Sequence, residues 1–510
     1  MEMNYAKTVE KWGTLEVTVK GPKEGNPFCD QWIKGTFECK NEKKTVDGFY
    51  DGDGAYKVRF MPSFVDTYTF KIESSFQTES AEEVSGSFEA VAPSADNHGP
   101  VRVAGTYYLA YEDGKPYHCL GTTCYVWNLQ NEKLQEQTLK TLEENAFNKI
   151  RFCIFPKHYD YNLHEPITYP YEGTPCDTSE LNENNFAEYN GCAPGNDWDF
   201  TRFNPAHFQH IEKRIQALMN LGIEADLIVM HPYDRWGFSM MKAEDDDRYW
   251  KYVLARFSAY RNVWWSLANE YDLMHEKTLA DWERYAAIIC EKDPYHHLRS
   301  IHNCKAYYDY NLPWVTHCSI QRTETYRSSE LVNEWREKYH KPVVLDEICY
   351  EGNIQFGWGN ISGEEMTRRF WEAFCRGGYP GHGETYLSPD RILWWSHGGV
   401  LHGTSPERIK FLAKIMEETP GLGVEPMPCK WDEVACRAAG FPARKDYFIY
   451  YYTFMRPSFR DFYFDDTTEY QVEIIDTWEM TITDGGIHKG QFRVQLPGKE
   501  YIAVRIKAVK

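Results

Sequence analysis

Residues 204–230, NPAHFQHIEKRIQALMNLGIEADLIVM, read as one complete helix–strand unit, and the repetition of that unit decides the fold. Asn204 is a favourable N-cap, and Pro205 suits the first helical position because its missing N–H would have no helical partner there. Phe208, Ile211, Ile215, Leu218 and Met219 recur three and four residues apart, which places them on one apolar face. Gly222 supplies the stop signal. The apolar run 223–230 is too short for a second helix and reads as a buried strand.

Working outward from this unit, strand-like runs are expected at 117–121, 149–155, 262–268, 298–303, 315–320, 342–347 and 379–386. Leu279, Trp282, Ala286 and Ile289 mark a further helix, and Ile409, Leu412, Ala413 and Met416 mark the last. Eight such repeats across residues 100–422 predict a (β/α)₈ barrel of the TIM type. A doubly wound open sheet is the rival, but it usually carries a glycine-rich phosphate turn, and no G-x-G-x-x-G follows the first strand.

The flanks are different. In residues 1–95, Leu15, Val17 and Val19 alternate with polar neighbours, as do Val58 and Phe60, then Tyr68, Phe70 and Ile72. That period of two, with turn chemistry at Asp51-Gly52-Asp53-Gly54, predicts a small β-sandwich. The polar stretch at 93–100, PSADNHGP, is the expected boundary. In residues 423–510, Tyr470, Val472 and Ile474 alternate, as do Ile502, Val504 and Ile506, and Asp484-Gly485-Gly486 signals a hairpin. A second β-sandwich is expected there.

The chain has 510 residues, 16% of them aromatic, and a formal charge of −20. An acidic body disfavours nucleic acid and anionic lipid, so a small neutral ligand is the expected partner. The opening MEMNYAKTVEKWG has no basic segment followed by an apolar core, so a cytoplasmic location is expected. The 14 cysteines include no C-x-x-C pair, and Cys119, Cys153, Cys318 and Cys349 sit in apolar runs, as reduced thiols do. His296-His297 alone does not supply zinc-ligand spacing, so neither a metal nor another cofactor is expected. A homo-oligomer is compatible with these features.

Catalytic groups of such barrels sit at the C-terminal ends of the strands. The fourth strand ends in Asn269-Glu270 and the seventh in Asp346-Glu347. The two glutamates lie 347 − 270 = 77 residues apart, three βα units. Cleavage of a glycosidic bond needs two carboxyl groups flanking it.

The run Trp264-Trp265-Ser266-Leu267-Ala268-Asn269-Glu270-Tyr271 resembles the strand-four motif of the large clan A of retaining (β/α)₈ glycoside hydrolases. The resemblance spans about residues 115–405, and the flanking sandwiches look like the accessory domains of apiosidase-like bacterial enzymes. It implies that Glu270 is the acid/base, that Glu347 is the nucleophile and that Asn269 binds the sugar 2-OH. Arg151, in the Ile-Arg-Phe run of the second strand, resembles the clan's arginine that keeps the nucleophile ionised. The clan orients its nucleophile with a Tyr or His near the end of strand six; here Ser319-Ile320-Gln321 stands in that place.

Other strand-end positions have two readings each. His231 and Trp236, around Pro232, either line a sugar subsite or belong to the core. His302 and Asn303 end the fifth strand and suit sugar hydroxyls, although Asn303 also suits a turn cap. Glu384 is a third acid near the mouth, read as a binder of sugar hydroxyls. Of Trp394 and Trp395, adjacent residues on a strand point oppositely, so one faces the site, and Trp395 is taken as that one. The long connection 156–204 is rich in aromatics and is expected to form a lid. Within it, Trp198 either stacks on sugar or pins the lid to the barrel.

These readings predict a retaining glycoside hydrolase that releases a terminal sugar by double displacement. The resemblance implies a pentose such as apiose, arabinose or xylose. An endo-acting β-glycanase and a non-catalytic carbohydrate-binding barrel are the alternatives. A metal-dependent isomerase would instead need clustered His and acidic residues at several strand ends.

Overall fold

Eight parallel strands form the centre of the molecule: β1 (Gly121–Thr123), β2 (Lys149–Cys153), β3 (Glu224–Met230), β4 (Val263–Ala268), β5 (Arg299–Ser300), β6 (Cys318–Gln321), β7 (Val343–Glu347) and β8 (Tyr379–His382). The computed structural model describes residues 3–76, 84–191, 193–428 and 433–509. The strands pair in the order β5-β4-β3-β2-β1-β8-β7-β6. A parallel bridge between His302 and Ser319 joins the two ends and closes the barrel.

Around it lie α1 (Glu132–Glu144), α2 (Pro205–Asn220), α3 (Ala243–Phe257), α4 (Leu279–Lys292), α5 (Val332–Tyr339), α6 (Gly363–Cys375) and α7 (Ser405–Glu417). The opening of α2 follows from its sequence: the Asn204 side chain accepts from the Ala206 N–H, and Pro205 occupies the first turn. Phe208, Ile211, Ile215 and Leu218 are fully buried, while Met219 is only half-buried.

Three expected strands differ. The first begins at Gly121, because Tyr117 and Cys119 pack with Val101 and Leu109 rather than pair with β2. The fifth shrinks to two residues, and the last splits, with Glu384–Thr385 pairing instead with Glu351–Gly352. The eightfold helix repeat is also incomplete. Among the described residues no helix joins β5 to β6; Tyr308, Tyr310 and Trp314 pack that connection, and Pro313 interrupts it.

Inside the barrel, Lys149 of β2 makes two 2.7 Å ion pairs, to Asp226 of β3 and Asp346 of β7. The N-terminal region forms a four-stranded and a five-stranded sheet. It docks through a buried network in which Arg59 Nη1 meets Glu212 at 2.6 Å, and Arg256 meets Glu212 and Asp51 at 2.7 Å each. The C-terminal region forms a six-stranded and a two-stranded sheet. It rests on α6, where Trp371 packs against Tyr451 with ring centroids 5.8 Å apart, and on the end of α7, where Arg505 pairs with Glu418. The expected termini at residues 1 and 510 lie outside the described residues, as do Cys192 and Cys429. No disulfide joins the described cysteines. No described helix is long and apolar enough to cross a membrane.

Candidate active site

At the end of β4 the chain turns sharply. Glu270 adopts φ +50°, ψ 55°, a left-handed conformation that a residue with a Cβ rarely takes. Such backbone strain of about 1–3 kcal/mol persists where the surroundings over-determine it, commonly at functional sites. Here the Glu270 N–H donates to His302 Nδ1 at 3.4 Å, and the Tyr233 hydroxyl donates to Glu270 Oε2.

At the end of β7 a register shift does comparable work. Ile320 pairs with Leu345, but Gln321 pairs with Glu347. The skipped residue, Asp346, turns into the barrel towards Lys149, and Glu347 is left at the mouth. Bulges re-aim side chains in this way.

One hydrogen-bonded group then links the two glutamates. Asn269 Nδ2 donates to Glu270 Oε2 at 3.3 Å. Asn269 Oδ1 accepts from Arg151 Nη1 at 2.8 Å and lies 3.1 Å from the Tyr125 hydroxyl. Tyr125 also donates to Glu347, and Arg151 Nη1 stands 3.5 Å from Glu347 Oε1. His302 Nε2 is 4.0 Å from the same oxygen.

The electrostatics follow from burial. Burial first, and then the charge of Glu270, push Glu347 up to about 7; Arg151, the Tyr125 hydroxyl and Lys157 pull it back. Burial and Arg151 hold His302 well below the usual histidine range, so it is neutral. His231 is held at about 3 by burial and by Lys157, and it contacts the Phe155 carbonyl at 3.4 Å.

The structure thus brings together Glu270, Glu347, Asn269, Arg151 and His302. Trp395 stands beside them, with its ring edge-on to Tyr125 at 5.9 Å. Trp394 instead donates to Thr122 in the core. The two tryptophans part because Trp394–His397 is a short helical turn, not the expected strand. Asn303 exchanges two 3.2 Å hydrogen bonds with the Gln321 backbone, so it fastens β5 to β6. The Gln321 side chain donates to the Cys304 thiol at 3.8 Å. Neither side chain shows a hydrogen bond to Glu270 or Glu347, although the Gln321 backbone lies beside Glu347 in the sheet.

Three further expected site residues have their partners away from the glutamates. Trp236 takes the core alternative. Asp234 accepts from the backbone N–H groups of Trp236, Gly237 and Ser239, and this turn carries the indole into an aromatic cluster with Tyr169 and Phe238. Trp198 pins the lid, because its Nε1 donates to the Trp236 carbonyl at 3.0 Å. Glu384 accepts from the N–H groups of His402 and Gly403, at 2.6 and 2.7 Å, and so caps the approach to α7 instead of binding sugar.

Glu384 also belongs to a group that could hold a metal. Glu351, His382 and Glu384 offer ligand atoms within 4.8 Å of one another. However, both Glu351 oxygens are already occupied by the N–H groups and hydroxyls of Thr404 and Ser405. The group fits a helix N-terminus capped by carboxylates better than a cation.

Sequence reading missed Tyr125 and Lys157, and it gave Tyr233, one of the loop aromatics expected at the mouth, no role of its own. Placing the first strand at 117–121 put Tyr125 well beyond its end. Tyr233 and Lys157 share a legible signal, since each directly follows a proline, Pro232 or Pro156, just after a strand.

Residues 104–420 match the family model described as apiosidase-like, catalytic domain. The chain belongs to this family. Residues 8–75 and 431–507 match two domains of unknown function, DUF5060 and DUF5605. Over 99% of this chain and 100% of the other, the apiosidase-like protein is 39% identical, with a TM-score of 0.90, to a "putative glycoside hydrolase" of Bacteroides vulgatus. It shares its fold with a glycoside hydrolase family 5 structure from the same organism, at 15% identity and a TM-score of 0.60, over 80% of this chain and 94% of that one. No curated protein matches the chain. This apiosidase-like protein is a glycoside hydrolase, with a carbohydrate as its substrate.

Proposed function

We propose that the enzyme is a retaining exo-glycosidase that removes a terminal pentose, such as apiose, arabinose or xylose, from small glycosides. The observation that carries this reading is the single hydrogen-bonded group, centred on Asn269 and Arg151, that ties Glu270 at the end of β4 to Glu347 at the end of β7. In the first step the Glu347 carboxylate attacks the anomeric carbon. The C–O bond to the aglycone breaks, and Glu270 gives its proton to the departing oxygen. In the second step the now ionised Glu270 takes a proton from water, whose oxygen attacks the same carbon and frees Glu347. Arg151 and Tyr125 favour the charged form of Glu347 that the first step uses. The aromatic lid, 156–204, supports a closed site that admits one chain end. The pentose comes from the family resemblance.

The test is a panel of aryl pentofuranosides, xyloside, glucoside, galactoside and mannoside, run with wild type and Glu347→Gly. Release from a pentoside that is lost in the variant supports the nucleophile. Release that survives in the variant overturns it. Proton NMR of the first product formed decides the stereochemistry: retention of anomeric configuration supports double displacement, and inversion refutes it.

A further inference from the structure

Lys157 is 3% exposed and follows directly after Pro156 at the end of the β2 run. Its Nζ lies 3.3 Å from the ring centroid of Tyr125, 4.2 Å from that of Tyr233, 4.7 Å from that of Tyr159 and 5.6 Å from that of Trp395. Two of those rings carry the hydroxyls bonded to Glu347 and Glu270. The ammonium therefore sits between the supports of both carboxyl groups.

Other buried cations of the barrel have acceptors. Lys149 has Asp226 and Asp346, Arg151 has Asn269, and Lys277 has Asp246. From Lys157 Nζ, ring contacts are found among the described residues, but no hydrogen bond or ion pair. Aromatic faces attract a cation but are poor acceptors for its three N–H donors. Burial accordingly holds Lys157 down at about 8, against the pull of Glu270 and Glu347. A cation kept under such conditions burdens the fold, and burdens of this kind collect where function needs them.

The geometry points to Lys157 as a sugar-binding residue, whose ammonium donates to hydroxyls of a neutral pentose held beside Glu270 and Glu347, with Tyr159 and Trp395 meeting the sugar's C–H face. This inference rests on the glycosidase reading above and adds to it the group that selects the sugar. Lys157 neither makes nor breaks a bond in the reaction.

The alternative is a structural plug held by ring contacts, and stability separates the two by sign. The folded-state pKa of about 8 lies below the ordinary 10.5, so the unfolded chain binds more protons between those values. Native stability then rises with pH across that window, and below it the charged lysine is a liability. Removing a plug lowers the melting temperature at pH 7; removing a functional cation leaves it equal or raises it.

The experiment titrates phenyl 1-thio-pentosides, which are not hydrolysed, into wild type, Lys157→Met and Lys157→Gln by calorimetry, with melting temperatures recorded alongside. Loss of a charged hydrogen bond is expected to weaken binding about 10- to 100-fold in both variants, with the Met variant melting no lower than wild type. Wild-type affinity is expected to fall above about pH 8, as the ammonium loses its proton, and to be flat in the variants. Unchanged affinity in both variants overturns the inference, as does a wild type that binds none of the pentosides. Binding of these ligands without hydrolysis of any aryl glycoside would sink the glycosidase reading alone.

Discussion

Tyr125, after Arg151, is one of the groups that hold the charge on Glu347. Its hydroxyl donates to that carboxylate and favours the ionised form, against burial that pushes Glu347 up to about 7. Tyr125→Phe removes the donor and keeps the ring over Lys157. The Glu347 pKa then rises, so the acidic limb of the kcat/KM profile is expected to move to higher pH. Losing a hydrogen bond to a charged group should lower kcat/KM about 10- to 100-fold at its optimum. An unmoved limb would remove Tyr125 from the support of the nucleophile. At this scale the sequence was legible where local pattern marks a strand end. Asn269-Glu270 and Glu347 stood out because an apolar run stopped beside them. Tyr125 did not, because its strand was placed too early, and its partner Glu347 lies 222 residues away. Glu384 misled for the opposite reason: it stands at a strand end, yet loop backbone from residues 402 and 403 satisfies its oxygens.

Among the elements, the lid carries the clearest expectation. The antiparallel pair Tyr171–Thr174 and Asp197–Phe203 anchors it, and Trp198 fastens it to the loop after β3. Trp198→Ala deletes the hydrogen bond to the Trp236 carbonyl together with ring contacts to Tyr169 and Phe238. Local opening of the lid should become easier by about 2 kcal/mol, while the barrel keeps its melting temperature. Limited proteolysis checks this: cleavage confined to residues 175–195 and faster than in wild type is expected, with a raised KM. Equal cleavage rates would place the lid's anchor elsewhere. The helix at 205–220 was readable from its cap and period, because those signals are local. The connection between β5 and β6 was not, because its apolar run continued past the two residues that pair, and aromatic packing replaces a helix there.

For the whole molecule, the three-part plan was visible as a change of period from two to 3.6 and back. How the parts meet was not, because the contacts join residues far apart in the chain. Glu212 on α2 holds Arg59 of the N-terminal sandwich and Arg256 of α3, and all three are buried. Glu212→Ala leaves two buried guanidinium groups without their shared partner, which costs about 3–5 kcal/mol. Urea unfolding should show that loss, whereas the charge-preserving Glu212→Asp should lose less. A change under 1 kcal/mol would mean that Glu16, 2.8 Å from Arg59, and Asp51 suffice as counter-charges.

The barrel's closure has a kinetic side. Its seam between β5 and β6 is held by the bridge from His302 to Ser319, by the Asn303 clasp and by bonds from the Thr316 N–H to the Arg299 carbonyl and from the Ser300 hydroxyl to the His317 carbonyl, with no helix described over it. His302 also receives the Glu270 N–H and stands beside Glu347. Any opening of this seam therefore takes part of the reactive centre with it. On warming, the amides of residues 299–303 and 318–321 should exchange with deuterium ahead of those in β2, β3 and β4. Turnover should fade, reversibly, at temperatures where circular dichroism still reports a folded barrel.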